Sequence, residues 1–485
     1  MDRRPAVAGS FYPATKQELS DNLEQLFSNA LPAESGDVCA LVVPHAGYVF
    51  SGEVAASAYN QIDRNRVYKR VFLIGTAHRN SFAGASVYTA GNFEMPYGTE
   101  EVDCEVGNGL CNENPLLFSD NPAHHDGEHG LEVQLPFVNH VLRAGYKIVP
   151  IIIGDVTVAQ CAEIANILEP WFNSENLFVV STDFSHYPSY EDARILDNTT
   201  MEAIVGQSPV QLLKVLESNA GKGVKELYTS LCGWSSVLVL LHLTQNVWGF
   251  NYKPLQYKNS GDNSQYGSKD GVVGYWAIAV HDLESCIVEI AKRAIQSAVT
   301  KDFDKQPNFN LEEGIDGSAV ALEVLAEYGF DKVPVVLEQA SGVFVTLRKE
   351  GNLRGCIGYI QSEEPLYKDI ANIATMAALN DSRFVPVSVQ ELPFLEYEVS
   401  VLSPMRLIDN VAEIEMGKHG VVIGKGSRSG LFLPQVATET GWTLEEFLGH
   451  CSRDKAGIGW DGWRDGARIW VFTVFKLPRG QIFPR

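Results

Sequence analysis

No apolar run in the sequence approaches the ~18 residues that a membrane-spanning helix needs, and stretches such as residues 236–241 are of core length. A membrane protein is excluded on that ground. The opening ten residues carry charges with no apolar segment behind them, so no secretory leader is expected and the chain reads as cytoplasmic. Paired cysteines are missing as well. The eight cysteines at 39, 104, 111, 161, 232, 286, 356 and 451 include no Cys-x-x-Cys pair, and a chain of this size needs no disulfide staples, so they read as reduced thiols, mostly in the core. Basic residues are scarce. With 38 Lys and Arg against 60 Asp and Glu, the net charge of −22 repels phosphate backbones, so a nucleic-acid partner is not expected. Low-complexity segments and internal repeats are absent too.

What remains is ordinary globular composition, 45% hydrophobic and 10% aromatic. At ~150 residues per domain, 485 residues correspond to roughly two to four folding units. After an amphipathic helix with Leu19, Leu23, Leu26 and Phe27 on one stripe, the first half alternates short apolar runs with helix-compatible segments. The runs cover residues 40–43, 71–74, 148–153, 177–180 and 272–280. Continuous apolar strands imply a sheet covered on both faces, so residues 1–283 are expected to form an α/β layered unit with a largely parallel sheet.

The pattern changes near residue 284. A helical stripe at Ile287, Ile290, Ala291 and Ala294 is followed by a polar stretch at 301–310, and then by alternating strands. These place Val343, Val345 and Leu347 on one face, then Leu395, Tyr397, Val399 and Val401, then Ile469, Val471, Thr473 and Phe475. The clusters Lys349-Glu-Gly-Asn352 and Gly424-Lys-Gly-Ser-Arg-Ser-Gly430 read as hairpin turns. Residues 284–485 are therefore expected to form an α+β domain with antiparallel strands.

Nine of the eleven histidines precede residue 284. Three of them follow strands: His45 after the run ending at Val43, His78 after residues 72–77, and His186 after residues 180–185. Carboxyl ends of parallel strands share one sheet edge, where ligands bind, so the three imidazoles and Asp183 are expected to converge. Two His with one carboxylate and open positions is the arrangement of non-haem Fe(II) sites. The candidate third ligand is Asp262, the only acid in the loop Tyr257-Lys-Asn-Ser-Gly-Asp-Asn-Ser264; a simple turn role for it is the competing reading. His125 and His129 have i,i+4 spacing, but Gly127 between them argues against a helical zinc pair. His129 and Glu132 instead read as one turn apart on a short helix interrupted or bent by Pro136, within reach of the same crevice.

Pro44-His-Ala-Gly-Tyr48, Gly75-Thr-Ala-His78, Glu128-His-Gly-Leu-Glu-Val-Gln-Leu-Pro136 and Ser181-Thr-Asp-Phe-Ser-His186 resemble, in order, the signature segments of the Memo family. The opening Arg4-Pro-Ala-Val-Ala-Gly-Ser-Phe-Tyr-Pro13 resembles its N-terminus. That family is similar in fold to the LigB-type extradiol dioxygenases, which use non-haem Fe(II). The resemblance implies that His45 and His78 are metal ligands and that Asp183 and His186 line their pocket. Animal members carry a Cys as third ligand, and its place falls in the loop Asn259-Ser-Gly-Asp-Asn-Ser264, which has none. With Asp262 in that place the site is harder and oxygen-rich, favouring iron over copper.

The second half resembles the AMMECR domain through Asn352-Leu-Arg-Gly-Cys-Ile-Gly358 and Asn380-Asp-Ser-Arg-Phe384. Prokaryotic relatives of the two domains are associated with each other and with a radical-SAM-like protein, in the AmmeMemoRadiSam system. Strand alternation puts Arg354, Cys356, Gly358 and Ile360 on one face. With Asp381 and Arg383 nearby, the two Arg would lower the thiol pKa and bind an anion; a small core thiol beside a structural Arg is the alternative. The function expected is a metal-dependent, dioxygenase-like oxidoreductase. His45, His78 and Asp262 would hold Fe(II), His186 would act as acid–base group, Asp183 and His129 would orient it or the substrate, and Glu132 would support them from behind. The alternative is a non-catalytic scaffold that binds a small molecule or peptide and docks the radical-SAM-like partner.

Overall fold

The five continuous apolar runs of the first half all lie in one eight-stranded sheet. The computed structural model describes residues 2–34, 36–304 and 317–479, and it divides into two units, Met1–Leu283 and Glu284–Arg485. Unit 1 contains β1 (Asp37–Val43), β2 (Arg70–Thr76), β3 (Ala85–Val87), β4 (Phe93–Met95), β5 (Gly98–Glu100), β6 (Phe118–Ser119), β7 (Lys147–Ile153), β8 (Asn176–Ser181), β9 (Phe250–Asn259) and β10 (Gly274–Asp282). The large sheet runs β6-β3-β7-β2-β8-β1-β10-β9. Its central strands β7, β2, β8 and β1 are parallel, and β10 and β9 add antiparallel at one edge.

Both faces of the sheet are covered at its centre, which is why the middle positions of β1, β2, β7 and β8 are continuously apolar. On β1, Ala40 and Val42 enter one core with Phe72, Ile74, Ile151 and Val180, while Leu41 and Val43 enter the other with Val71, Leu73, Ile148 and Val179. The helix Trp234–Val247 supplies Val237, Leu240 and Leu241 to the first core. The helix Tyr48–Tyr59 and the short helix Leu135–Val141 supply the second. Pro136 stands in the first turn of that short helix, where its missing N–H costs nothing; it starts the helix and does not interrupt it. Among the described residues no helix is long and apolar enough to cross a membrane.

Unit 2 contains β11 (Val343–Lys349), β12 (Asn352–Tyr359), β13 (Leu395–Leu402), β14 (Arg406–Ile408), β15 (Gly420–Lys425), β16 (Arg428–Phe432), β17 (Arg468–Phe472) and β18 (Val474–Leu477). They form two antiparallel sheets, β12-β11-β13-β18 and β14-β17-β15-β16. The expected single strand through Ile469, Val471, Thr473 and Phe475 is in fact two strands in different sheets. The chain crosses between them at Thr473, whose N–H donates to Ser403 Oγ while Ser403 N–H donates to Thr473 O. Of the polar stretch at 301–310, residues 301–304 complete the helix Glu284–Asp304 and residues 305–310 lie outside the described residues. Both expected hairpins are present, with Lys349 paired to Asn352 and Lys425 to Arg428.

Candidate metal centre

His45 and His78 lie just beyond the carboxyl ends of β1 and β2, and Asp183 just beyond β8. Because β8 separates β1 from β2 in the sheet, the three loops emerge side by side. The ring centroids of His45 and His78 are 4.8 Å apart, and His129 lies 5.3 Å from the first and 4.9 Å from the second. Residues far apart in sequence thus meet at one edge of the sheet, as a parallel topology requires.

The hydrogen bonds around His45 assign its tautomer. Ser181 Oγ donates its single proton to Gly130 O at 2.6 Å and accepts from Gln134 Nε2 at 3.0 Å. Its contact with His45 Nδ1 at 3.1 Å is therefore one in which the imidazole donates. The proton sits on Nδ1 and the Nε2 lone pair is bare. That Nε2 lies 3.4 Å from Cys232 Sγ. On His78, Nδ1 is 2.8 Å from Glu128 Oε1, and the backbone N–H donates to Glu128 Oε2 at 2.7 Å. A carboxylate on Nδ1 leaves the other ring nitrogen free for a metal, the usual outer support of a ligating histidine.

His45, His78 and Cys232 form a candidate metal-binding group, their donor atoms all within 4.8 Å of one another. Donors around one ion at roughly 2.0–2.3 Å stand about 3–4 Å apart, and the 3.4 Å between His45 Nε2 and Cys232 Sγ falls in that range. Two imidazole nitrogens and a sulfur, each held from behind, fit a first-row transition ion. Cys232 is fixed by backbone on both sides: its N–H donates to Asp183 O at 3.1 Å, and its sulfur accepts from Asp183 N at 3.2 Å.

Electrostatics follow from crowding several imidazoles into a buried corner. Burial lowers the His45 pKa well below its ordinary value, and the neighbouring His78, His129 and His186 push the same way. Burial also opposes protonation of His78, but its hydrogen bonds to Cys232 and Glu128 outweigh that and push it up to about 10. A cation at this point would take the place of that proton. Burial works to raise the Glu128 pKa, yet its bonds to His78 bring it down to about 2. Burial lowers His129 and His186 to about 4 each, with His78 adding to both, and raises Asp183 to about 7.

Asp262 is not brought to the histidines. One of its oxygens accepts from Asn259 N at 2.8 Å, closing a capping turn, and the other accepts from Tyr190 OH at 2.5 Å. It belongs to neither of the donor groups among the described residues, His45 with His78 and Cys232 or His78 with Glu128 and His129. In the candidate group the third donor is Cys232 and not Asp262, so that group lacks the hard, oxygen-rich character expected with an aspartate there. Glu132 is likewise placed elsewhere. Fully buried, it accepts from Val7 N and Tyr12 OH on one oxygen and from Ala6 N and Arg3 Nη1 on the other, and so ties the N-terminal segment to the unit. Glu128 takes the supporting position expected of Glu132.

Asp183 accepts from His45 N at 2.8 Å, and its second oxygen lies 3.8 Å from His45 Nε2. His186 is held by backbone bridges to Thr229 and Val273, and its buried Nε2 has no hydrogen-bond partner among the described residues. Sequence reasoning missed Cys232, Glu128 and Ser181. The only signal for the first was a thiol in the Ser230-Leu-Cys-Gly233 loop that opens the apolar helix Trp234–Val247.

In unit 2 the register shifts between Gly355 and Leu353, making Arg354 the extra residue of a β-bulge, so plain alternation does not run through the motif. Arg354 is engaged by Glu391 at 3.0 and 3.1 Å and by Pro386 O. Arg383 is engaged by Asp381 at 2.7 and 2.9 Å and by Cys356 O. Asp381 also accepts from Cys356 N, and Thr346 Oγ1 donates to the Cys356 sulfur. Both guanidiniums expected to attract an anion therefore already face carboxylates of the chain.

Comparison with known proteins places these observations in a family context. The Memo-like protein family matches residues 3–279, and the AMMECR1 family matches residues 288–477. A MEMO1 family protein of Aeropyrum pernix is 33% identical over 291 residues, covering 57% of this chain and 99% of that relative. One from Aquifex aeolicus is 33% identical over 275 residues, covering 56% and 97%. The crystal structure of an uncharacterised protein from Pyrococcus horikoshii, 33% identical, aligns with 41% of this chain and 94% of its own at a TM-score of 0.31.

Proposed function

The chain belongs to the Memo-like family through residues 3–279 and carries an AMMECR1 domain at 288–477, and from this we propose that unit 1 is a metal-dependent redox protein whose ion is held by His45, His78 and Cys232. The observation that carries this reading is the convergence of the three donors, with both Nδ1 atoms already engaged by Ser181 and Glu128. Imidazole and thiolate together suit iron and copper. Such an ion, when bound, supplies a change of oxidation state and an open coordination position.

The remaining chemistry falls to the chain's own residues. His186, lowered to about 4, is neutral at physiological pH, and its partnerless Nε2 can accept a proton from a bound substrate. Asp183 holds the His45 backbone and the Cys232 backbone together, so it positions two donors at once. His129, neutral for the same reason as His186 and packed edge-on against Phe11 at 5.0 Å, walls the third side. Substrate access is supported by a cleft of about 430 Å³ lined by His78, Arg79, Asn80, Asp155 and Trp234.

The test is the metal content of protein purified without oxygen or chelator. Iron or copper near one per chain, lost in His45→Ala and in Cys232→Ser but kept in Asp262→Ala, is the expected result. His186→Ala should keep the ion and lose turnover. Zinc alone would sink the redox reading, and protein without any ion would turn the pocket into a non-catalytic binding site.

A further inference from the structure

The second sheet of unit 2 buries only one of its faces. Val421, Ile423, Ile469, Val471, Ile408 and Phe432 form its core side. The alternate residues form a row on the opposite face, Leu407 beside Trp470, Trp470 beside Val422, and Val422 beside Leu431. The next row is Arg468, Gly424 and Ser429. Leu407 apart, these rows line a cleft of about 730 Å³ together with Ile360 and Met405 from the neighbouring segments, within the roughly 300–1,000 Å³ of small-molecule sites.

Three cations stand at this cleft, in a chain that is strongly acidic as a whole. Lys425 meets Asp465 at 2.9 Å. Arg428 donates to Gly457 O, Arg468 lies over the Trp470 ring at 5.6 Å, and neither has a carboxylate partner among the described residues. Lys425 and Arg428 are directly paired across their hairpin. Like charges directly opposite cost stability, and Asp465 already offsets that of Lys425, so among the described residues Arg428 and Arg468 are the cations of the cleft without a carboxylate. Gly424 adds a second kind of evidence. Its backbone is not left-handed, so glycine's conformational freedom is not what the position uses. A Cβ there would stand 3.2 Å from Trp470 Cζ3; glycine therefore lets the indole, which lines the cleft, lie close against β15.

We propose that this cleft binds a mononucleotide, with the base stacked on Trp470 and the phosphate held by Arg468 and Arg428. An aromatic face supplies stacking to any base, and guanidinium supplies forked donors to phosphate. The size of the cleft fits one nucleotide, and the chain's net charge of −22 opposes a polynucleotide.

The test is calorimetric titration of the full chain with AMP, GMP, adenosine, inorganic phosphate and a single-stranded oligonucleotide at moderate salt. AMP or GMP should bind, with adenosine and phosphate each weaker by about tenfold or more. Arg468→Gln and Arg428→Gln, both exposed and expected to melt like the wild type, should each weaken the nucleotide by about tenfold. Gly424→Val should weaken the nucleotide as well, by pushing the Trp470 indole off β15. No nucleotide binding, or binding indifferent to both Arg variants, overturns the proposal. So does phosphate binding as tightly as AMP, which would leave an anion patch without stacking, or a salt-sensitive oligonucleotide binding more tightly than either mononucleotide.

Discussion

The Cys232 sulfur lies 3.4 Å from His45 Nε2 across 187 positions of sequence. The contact depends on the loop after β8, because Asp183 donates its N–H to that sulfur and accepts the His45 N–H on its carboxylate. One residue therefore sets the spacing of two donors from different parts of the chain. Asp183→Ala should lower metal affinity although it removes no donor in the candidate group, with both His45 and Cys232 intact; competition with a chromogenic chelator measures it.

Glu128 is the outer partner of His78 through both its ring and its backbone. Glu128→Gln keeps the shape and removes the charge, so metal affinity should fall about 10–100-fold, as for other outer-partner losses. Unchanged affinity would remove Glu128 from the centre.

The pair Arg3–Glu132 is closed at 2.7 Å with side chains 7% and 0% exposed. Glu132→Ala leaves the buried Arg3 charge with the His125 and Glu128 carbonyls but no carboxylate, and it unpairs the N–H groups of Ala6 and Val7, so unit 1 should lose about 3–5 kcal/mol in denaturant melts. The metal stoichiometry of the fraction that stays folded should not change, since Glu132 is bonded to the N-terminal segment and belongs to neither donor group.

Gly233 packs against the end of β8, and an added Cβ would meet Thr182 Oγ1 at 2.7 Å and Ser181 O at 3.1 Å. Gly233→Ala must therefore displace either the Cys232 loop or the strand end. Loss of metal with retained far-UV circular dichroism is the expected outcome.

Asp197 provides a pH dependence. Burial raises its pKa from 3.8 to about 7, against the pull of hydrogen bonds from Tyr257 and Ser185. The fold thus prefers the protonated acid. The stability this group contributes is fully present below pH 3.8 and is lost as pH rises through about 7. Melting temperature measured from pH 5 to 8 should fall less steeply in Asp197→Asn than in the wild type; equal slopes would refute the assignment.

Continuous apolar runs announced β1, β2, β7 and β8 because a strand buried on both faces admits almost nothing else. Their parallel pairing then brought His45, His78 and Asp183 to one edge, so half of the centre was legible before any coordinates. Asp262 misled because an acid in a polar loop reads the same whether it faces a metal or caps its own turn. The hydrogen bonds from Asn259 and Tyr190 decide the matter, and Tyr190 is 72 positions away. The bulge at Arg354 and the break at Thr473 escaped for a related reason: alternation describes a strand, while pairing partners decide where the register slips and where a chain changes sheets. Local pattern encodes burial and turn chemistry, which act over a few residues. Which thiol meets which imidazole is set by the packing of the helix Trp234–Val247 against the assembled sheet, and that exists only once the unit is folded.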